Sequence, residues 1–361
     1  MKFYMPTKLY QEADCVWHHR GEIGQLGKRA LIVTGRHSAK ANGSYDDVCR
    51  ALDDQNIGHA LFDEVEENPS IETVMKARDF GAEHQADMVI GIGGGSPLDA
   101  AKAIALMLKH PDEDRDYLYK KGADSSTLPI VEVPTTCGTG SEVTPVSVLT
   151  IHAQKTKGSI PHKIFANYAL VDGRYLKTAP VSVLHNTAID ALAHLWEAFI
   201  NADADDYTHM CVAEGLRVWK RSKAVLLGEK PAADEDYNNM MNASALAGMA
   251  IAQDGTTLPH GLSYPVTYNQ HMPHGRAVGY FQAGYLAAAD KADREAALTM
   301  AGFQSLDEYQ HFYEALCGSD KLSDQDLDYA VDVLSQKPDK LKKAPFSVDK
   351  GVLKKIAFFT K

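Results

Sequence analysis

Short apolar runs alternate with helical patterns through the first half of the chain. Each run is rich in β-branched residues and bounded by polar ones, which is typical of a buried strand. We predict strands at residues 29–34, 58–62, 88–92 and 129–133, and helices at about 44–55, 71–84 and after Ser96. This alternation predicts an α/β domain with a parallel sheet and helices on both faces, whose ligands bind beyond the carboxyl ends of the strands.

The pattern changes beyond about Pro180. From there to the end, long alanine- and leucine-rich amphipathic stretches follow one another without a clear strand, so we predict an all-α second half. We place the boundary near Leu176 to Pro180 and expect two domains, residues 1–178 and 179–361. A cleft between the two halves is the expected active site.

Charge and cysteine content exclude some classes of protein. The formal net charge of -11 argues against nucleic-acid binding, because neutralising phosphates requires a basic surface. The 5 cysteines are scattered and form no C-x-x-C pair, so we expect reduced thiols in a cytoplasmic protein. No apolar run has the length of a membrane span, and the first residues lack the apolar core of a secretion signal. We therefore expect neither nucleic acid nor a membrane as a partner.

The segment GIGGGSPLDAAKAIALM, residues 91–107, places three consecutive glycines between a predicted strand and a predicted helix. At that point of an α/β sheet, main-chain N–H groups and the positive helix end favour an anion, and missing side chains let a phosphate come close. The alternative is a tight turn without a ligand, but one glycine would suffice for that, so we favour phosphate binding. The turn after the first predicted strand lacks G-x-G-x-x-G, so the layout differs from an ordinary Rossmann domain.

The segment VPTTCGTGSE, residues 133–142, supplies several hydroxyl groups where another predicted strand ends. It is either a polar loop with a helix cap at Ser141 or Thr139, or a loop that hydrogen-bonds a ribose or diphosphate. Its position beside the glycine-rich turn favours the second interpretation. Cys137 lies within it, but no base is identifiable nearby by spacing, so we predict no thiol nucleophile.

The helical half contains a candidate metal-binding constellation. Asp190 and His194 are four apart, so on a helix their side chains lie one turn above the other, and His260 and His274 each precede a glycine. One carboxylate with imidazoles suits iron or zinc rather than calcium or magnesium. The pair alone is equally consistent with a surface hydrogen bond, and a His-Gly pair with a loop feature. Spacing does not exclude three further histidines: His185, His209 and His271.

Five motifs, taken in this order, resemble the iron-containing (group III) alcohol dehydrogenase family: GGGSPLDAAKAIA, PTTCGTGSEVTPVSVLT, DALAHLWEA, PHGLSYPVTYN and MPHGRA. The resemblance runs from about Phe3 to about Tyr285 and is weaker in the remaining residues. It implies an N-terminal dinucleotide-binding α/β domain and an all-α metal-binding domain, the dehydroquinate synthase-like fold.

The resemblance also implies the site residues. Asp190, His194, His260 and His274 match the ligands of a catalytic metal, usually Fe²⁺ and sometimes Zn²⁺. Contacts to the nicotinamide cofactor are implied for residues of the glycine-rich turn, its helix and the hydroxyl-rich loop: Gly94, Gly95, Ser96, Asp99, Thr135, Thr136, Thr139, Ser141, and either Lys155 or Lys157.

The turn after the first strand bears on the choice of cofactor. Many NAD-preferring members have an acidic residue at the position of Gly35, where it accepts hydrogen bonds from the ribose 2′-hydroxyl and repels a 2′-phosphate. Here no carboxylate is present, and the next residues offer donors to a phosphate. We therefore predict a preference for NADP(H), with contacts from Gly35 and from the residues that follow it: Arg36, His37, Ser38 and Lys40.

One departure from the family concerns proton transfer. Members often carry a second histidine four residues after the third ligand, but here that position is Tyr264. We count Tyr264 among the candidate catalytic residues, since it or a water molecule could replace a histidine in carrying the proton. The alternative is that its ring only shapes the pocket.

The implied activity is that of a metal-dependent, NAD(P)-linked alcohol dehydrogenase or aldehyde reductase, with hydride transfer between a small alcohol or aldehyde and nicotinamide. The nearest alternative is a glycerol or other polyol dehydrogenase of the same superfamily. Such relatives tend to use one carboxylate and two histidines, whereas this chain has a third histidine. A nucleotide- and metal-binding protein without turnover is a more remote alternative. A homodimer is plausible by resemblance.

Overall fold

The computed structural model describes residues 1–154 and 156–361. The chain divides into two compact units, an α/β unit of Met5–Ala179 and a helical unit of Pro180–Lys361, to which Met1–Tyr4 also belong. Main-chain hydrogen bonds hold these first residues on the helical unit. The amide of Lys2 donates to the carboxylate of Asp205 (3.0 Å), and that of Tyr4 donates to Gln253 Oε1 (3.0 Å).

The α/β unit is built on a parallel sheet, as predicted. The strands are β1 (Lys8–Gln11), β2 (Arg29–Thr34), β3 (Gly58–Phe62), β4 (Met88–Gly93), β5 (Ile130–Pro134), β6 (Val148–Ile151), β7 (Thr156–Ser159) and β8 (Tyr168–Val171). Among the described residues, six of them pair in the order β1-β8-β5-β4-β2-β3, all parallel, and β6 and β7 form a separate antiparallel pair. The predicted strands correspond to β2 to β5. The sequence did not predict β1, β6, β7 or β8, because strands of 4 residues are too short to show a period.

Both faces of this sheet are covered, which explains the continuous apolar runs. Adjacent residues of β2 point to opposite faces, so that Leu31 packs in one core cluster and Ile32 in another. The helices of this unit are α1 (Cys15–His18), α2 (Arg20–Ile23), α3 (Ser38–Ala41), α4 (Ser44–Asp54), α5 (Ile71–Glu83) and α6 (Gly95–Lys109). Shorter 3-10 turns lie at Arg115–Tyr119, Ser141–Val143, His152–Gln154 and Gly173–Leu176.

The second unit is all-helical, as predicted: no strand occurs in residues 180–361, all of which are described. Its helices are α7 (Val181–Phe199), α8 (Asp206–Trp219), α9 (Lys223–Leu226), α10 (Asp234–Asp254), α11 (Leu258–Gln270), α12 (His274–Ala288), α13 (Lys291–Ala301), α14 (Leu306–Cys317), α15 (Asp324–Ser335), α16 (Pro338–Leu341) and α17 (Lys350–Ala357), with a 3-10 turn at Lys220–Ser222.

Two tryptophans fix the position of α7 within the helical unit. The buried indole of Trp196 donates to the carbonyl of Ala297 (3.0 Å), and that of Trp219 donates to the carbonyl of Ala188 (2.8 Å). Each ring is thus both packed and hydrogen-bonded, which stabilises a helix that carries two predicted metal ligands. In the part of the chain that the structure describes, none of the helices has the length and hydropathy needed to cross a bilayer.

Candidate functional site

Helix α7 presents three ionisable side chains on one face. Asp190, His194 and Glu197 are spaced by four and three residues, so they lie on successive turns of the same side of the helix. Their exposed fractions are 3%, 5% and 0%. Buried charges require partners, so this face of α7 marks a polar site inside an otherwise apolar unit.

Helices α11 and α12 bring the other two histidines to this face. His260 lies in the first turn of α11, behind Pro259, and His274 is the first residue of α12. Gly275 allows α12 to approach α7 closely, because a Cβ atom at this position would lie 1.8 Å from the carbonyl oxygen of Asn186. The glycine after His274 is therefore a packing requirement of the site.

The three imidazoles converge on one carboxylate oxygen. The distance from Asp190 Oδ1 to Nε2 is 3.9 Å for His194, 3.5 Å for His260 and 3.9 Å for His274. The ligand atoms of Asp190, His260 and His274 all lie within 4.8 Å of one another. The His194 ring stacks on that of His260, with centroids 4.5 Å apart. The geometry thus brings the four predicted ligands together.

The unsatisfied atoms at the centre of this cluster fit a bound cation. Among the residues that the structure describes, neither Asp190 Oδ1 nor His260 Nε2 has a hydrogen-bond partner, although both are buried. Burial alone would raise the pKa of Asp190, but the charges of the three imidazoles hold it below its ordinary value. A carboxylate with imidazole nitrogens is a donor set for iron or zinc, so the residues fit such an ion.

Glu197 hydrogen-bonds Nδ1 of His260, and although it lies within the DALAHLWEA motif, the motif by itself indicated no role for it. Its Oε1 accepts from His260 Nδ1 at 2.6 Å. Burial opposes a charged ring, but Glu197 and Asp190 raise the pKa of His260 to about 9. The position of Glu197, seven residues after Asp190 on one helix face, is a sequence signal that could have identified it.

The other candidate histidines lie elsewhere in the helical unit. His185 Nδ1 contacts the carbonyl of Leu316 (3.0 Å), His209 is exposed against Phe199, and His271 is exposed at the end of α11. Tyr264 lies near the cluster, its ring stacked against His274 with centroids 5.9 Å apart. None of the three histidines that spacing left open belongs to the group of close ligand atoms found among the described residues.

In the α/β unit, the glycine turn (residues 93–96) and the hydroxyl loop (residues 135–141) lie against each other. A Cβ atom added at Gly94 would lie 3.0 Å from Thr136 Oγ1, and one at Gly95 would lie 2.7 Å from Thr139 Cγ2. The amide of Thr135 donates to the carbonyl of Gly93 (2.8 Å). The glycine turn therefore has to lack side chains because the hydroxyl loop occupies the space beside it. Without side chains, the main-chain N–H groups at the start of α6 remain open to an anion.

Two residues predicted to contact the cofactor also hold the loop in place. Ser141 Oγ donates to Asp99 Oδ1 (2.6 Å), and Asp99 Oδ2 accepts from the amide of Val148 (2.9 Å). The fully buried ammonium of Lys102 donates to the carbonyl and hydroxyl of Ser141 (2.6 and 2.8 Å) and to the carbonyl of Val146 (3.0 Å). Lys102, one turn after Asp99, lies within the GGGSPLDAAKAIA motif, which by itself indicated no role for it.

Two buried glutamates lie in the same region. Glu132 of β5 lies 3.9 Å from the ammonium of Lys102, and both of its carboxylate oxygens lack a hydrogen-bond partner within the described parts of the chain. Burial raises the pKa of Glu132 well above its ordinary value, and it raises the pKa of Glu142 to about 7, against the opposing effect of Lys102. Lys102 is thus a central cation among buried acids.

Asn68 connects the glycine turn to a lysine of the hairpin. Its amide donates to Ser96 Oγ (3.0 Å), and its Oδ1 accepts from Lys157 Nζ (2.8 Å). The other predicted lysine, Lys155, lies outside the described residues. Of the two lysines, Lys157 is the one that the structure describes, and it lies beside this turn.

The residues predicted to select the cofactor follow β2 and are accessible. Gly35 is half-buried, and a Cβ atom added there would lie in tight contact with the carbonyl oxygen of Val65 (3.3 Å), whereas Arg36 and Ser38 are exposed. Lys40 is also exposed and forms an ion pair with Asp63 (2.7 Å). Asp63 is thus already paired with a cation.

Known proteins resemble this chain over most of its length. It matches the sequence profile of the iron-containing alcohol dehydrogenases over residues 6–173, and that of the C-terminal part of the same family over residues 185–332. It is 35% identical over 263 residues to long-chain-alcohol dehydrogenase 1 of Geobacillus thermodenitrificans, a match covering 71% of this chain and 65% of that protein. The matched segment therefore spans less than two thirds of that relative.

Two further matches extend this result. The chain is 30% identical over 290 residues to the NADPH-dependent butanol dehydrogenase of Clostridium saccharobutylicum, covering 77% of this chain and 71% of that protein. The crystal structure of an iron-containing alcohol dehydrogenase from Thermotoga maritima superposes with a TM-score of 0.91 at 35% identity, covering 99% of each chain. The sequence motifs, the two-unit fold and these matches agree: the chain belongs to the iron-containing alcohol dehydrogenase family.

Proposed function

We propose that this protein is a metal-dependent alcohol dehydrogenase and aldehyde reductase that prefers NADP(H). The observation that carries the proposal is the convergence of three imidazole nitrogens on Asp190 Oδ1, 3.5 to 3.9 Å away, in a buried cluster with unsatisfied atoms. Its ligands are Asp190, His194, His260 and His274. A divalent iron or zinc ion bound there supplies Lewis acidity toward a substrate oxygen.

The protein's own residues prepare this chemistry. Asp190 places a negative charge beside three neutral donors and so sets the net charge of the centre, while the imidazoles determine its geometry. In the α/β unit, main-chain N–H groups at the glycine turn bind the cofactor diphosphate, and the hydroxyl loop binds its ribose. Lys157, held by Asn68 beside this turn, contributes a positive charge.

The preference for NADP(H) rests on the turn after β2. Gly35 provides no carboxylate to repel a 2′-phosphate, and the exposed side chains of Arg36 and Ser38 offer hydrogen-bond donors to it. Asp63 is neutralised by Lys40, with which it forms an ion pair. A relative at 30% identity carries an NADPH-dependent activity in its name, which supports the same assignment.

Turnover of metal-stripped protein, reloaded with Fe²⁺ or Zn²⁺ without oxygen, tests the activity. Nicotinamide absorbance is followed with NADPH or NADH and aldehydes from short to long chain. We expect metal-restored turnover that is faster with NADPH. Faster turnover of polyols than of simple alcohols would favour a polyol dehydrogenase, and tight nucleotide binding without any turnover would contradict an enzymatic role.

A pair of variants tests the cofactor assignment separately. Gly35→Asp adds a carboxylate where the 2′-phosphate is expected, and Gly35→Ala adds the same Cβ atom, 3.3 Å from the carbonyl of Val65, without charge. We expect the ratio of kcat/KM for NADPH to that for NADH to fall at least about tenfold in the aspartate variant only, since like charges repel. An equal fall in both variants would show a steric effect and would contradict the assignment.

Tyr264 is proposed to shape the pocket beside His274, against which its ring stacks. Tyr264→Phe keeps the ring and removes the hydroxyl. If the ring shapes the pocket, the variant retains kcat and its pH profile. A loss of kcat of about 10²-fold or more, with a changed pH profile, would instead identify the hydroxyl as the proton carrier.

A further inference from the structure

We propose that Glu197 is the positioning residue of the metal centre: its buried carboxylate keeps a proton on His260 Nδ1 and thereby directs Nε2 to the metal. The inference rests on the proposed metal site. It concerns a residue that contacts a ligand rather than the ion, and it assigns a role to the most fully hydrogen-bonded carboxylate near the site.

The carboxylate of Glu197 accepts four hydrogen bonds in a fully buried position. Oε1 accepts from His260 Nδ1 (2.6 Å) and Gln282 Nε2 (2.8 Å), and Oε2 accepts from the amide (2.6 Å) and hydroxyl (2.9 Å) of Thr257. The side chain is 0% exposed. Four donors account for its acceptor capacity, so its orientation is fixed from every side.

This arrangement determines which nitrogen of His260 faces the metal. A carboxylate only accepts hydrogen bonds, so the contact at 2.6 Å requires a hydrogen on Nδ1. In the neutral ring, which is the form that can bind a metal, the lone pair is then on Nε2, which lies 3.5 Å from Asp190 Oδ1. Because the partner of the far ring nitrogen fixes both the tautomer and the ring orientation, Glu197 prepares His260 for coordination.

The same carboxylate connects the three helices that carry ligands. Glu197 belongs to α7 with Asp190 and His194, His260 belongs to α11, and Gln282 lies two turns after His274 on α12. The ammonium of Lys340 donates to the carbonyl of Thr256 (2.6 Å), the residue before Thr257. Burial raises the pKa of Glu197, but His260 and Lys340 hold it below its ordinary value. One side chain thus sets the spacing of all three ligand-bearing helices.

Replacing Glu197 by glutamine gives a specific expectation. If the amide NH₂ points to Thr257, two donors face each other. If it points to His260, the amide oxygen accepts from Thr257, and Gln282 Oε1, which has no partner in the described chain, can turn to accept from the NH₂. The second orientation satisfies the local groups but requires an unprotonated Nδ1, which moves the proton to the metal-facing Nε2. Glu197→Gln is therefore expected to fold and to bind metal poorly.

Metal affinity of the full chain is the first test, measured with Zn²⁺ against a competing chelator. We expect Glu197→Gln to weaken binding by about 10- to 100-fold and Glu197→Asp, which keeps the charge but withdraws it from His260, to give an intermediate loss. The matched control is Asp236→Asn, another buried carboxylate of the helical unit, which accepts from the amide of Ala233 (2.9 Å) and from Lys230 (2.9 Å). It is expected to leave the affinity unchanged.

Imidazole ¹⁵N spectra of histidine-labelled, metal-free protein provide the second test, with His260→Ala to assign the signals. The wild type is expected to keep a hydrogen on Nδ1 of His260, and Glu197→Gln to lose it. Wild-type affinity in Glu197→Gln, an unchanged Nδ1 signal, or an equal loss in Asp236→Asn would overturn the positioning role. If the wild type itself binds no Zn²⁺ or Fe²⁺, the proposed metal function fails instead.

Discussion

The two units build their candidate sites from different parts of the chain. In the α/β unit, the groups available to a ligand are main-chain N–H groups of a turn from which side chains are missing, because the loop beside it fills the space. In the helical unit, they are side chains from three helices that meet at one carboxylate oxygen. We therefore expect the first site to be impaired by an added side chain that alters the shape of the turn. We expect the second to be impaired by replacement of a metal-ligating atom.

Buried ionisable groups serve these sites in different ways. Lys102 and Asp99 hold the main chain and hydroxyl of Ser141, so their charges fix a loop. Glu197 instead fixes the ring of His260, which is itself a proposed ligand. The difference predicts separable consequences: changes around Lys102 act on stability and cofactor affinity, and changes around Asp190 act on metal content.

The largest effect is expected from Asp190→Asn, which keeps the shape of the side chain and removes its charge. Loss of the anionic ligand weakens metal binding, and protein without the ion lacks several kcal/mol of Lewis-acid assistance, so we expect kcat to fall by about 10³-fold or more. Bound metal and kcat are measured together, with the exposed Asp206→Asn as the control. If kcat falls while the metal content and affinity stay at the wild-type level, the helical site does not depend on donor atoms as proposed.

Lys102→Met follows, and it acts on the other unit. The variant loses three hydrogen bonds and leaves Glu132 and Glu142 without their central cation. Because burial raises the pKa of both glutamates, they can hold a proton, and the loss of the buried hydrogen bonds is expected to cost about 1 to 3 kcal/mol of unfolding free energy. Chemical denaturation measures this, with Lys109→Met, an exposed lysine of the same helix, as the control. If Lys102→Met leaves the unfolding free energy unchanged, or lowers metal affinity, the proposed difference between the roles of buried charges in the two units is wrong.

The turn and the ligands could be predicted from the sequence because each is local. Three consecutive glycines between a predicted strand and a predicted helix indicate a phosphate-binding turn. The spacing of Asp190 and His194 places both side chains on one face of a helix. Placing His260 and His274 beside this pair required the family resemblance, since nothing in spacing separates them from His185 or His271. The fold class was equally accessible, because long periodic segments determine it.

The contacts of the supporting residues could not be predicted, because their partners are distant in the chain. Glu197 contacts residues 60 to 85 positions later, and Lys102 contacts a loop 39 to 44 positions later. Asn68 likewise joins Ser96 to Lys157 across the chain. Such contacts depend on which helices and strands become neighbours. Local patterns in a single sequence with short strands do not predict that arrangement.

Gly95→Ala is expected to act through shape alone. The new methyl group would lie 2.7 Å from Thr139 Cγ2, so the hydroxyl loop must move away from the turn. We expect KM for NADPH to rise about 10- to 100-fold while metal affinity stays constant, since misplaced binding groups lose affinity without losing donors. Gly21→Ala is the control, because no atom lies within 4 Å of a Cβ atom there. An unchanged KM would show that the loop tolerates the displacement and that this site is less sensitive to shape than proposed.

The smallest effect concerns pH and again distinguishes the α/β unit. Burial raises the pKa of Glu142 from an ordinary value of 4.5 to about 7, so between these values the folded chain holds a proton that the unfolded chain has released. Unfolding free energy therefore falls as pH rises through this window, by about 1 kcal/mol per pH unit. The difference between wild type and Glu142→Gln isolates this contribution, because glutamine cannot ionise, and the exposed Glu83→Gln controls for surface charge. A difference that stays constant from pH 5 to 7 would mean that Glu142 is ionised in the folded chain, and the buried acids around Lys102 would then be as fully charge-paired as Glu197 is in the helical unit.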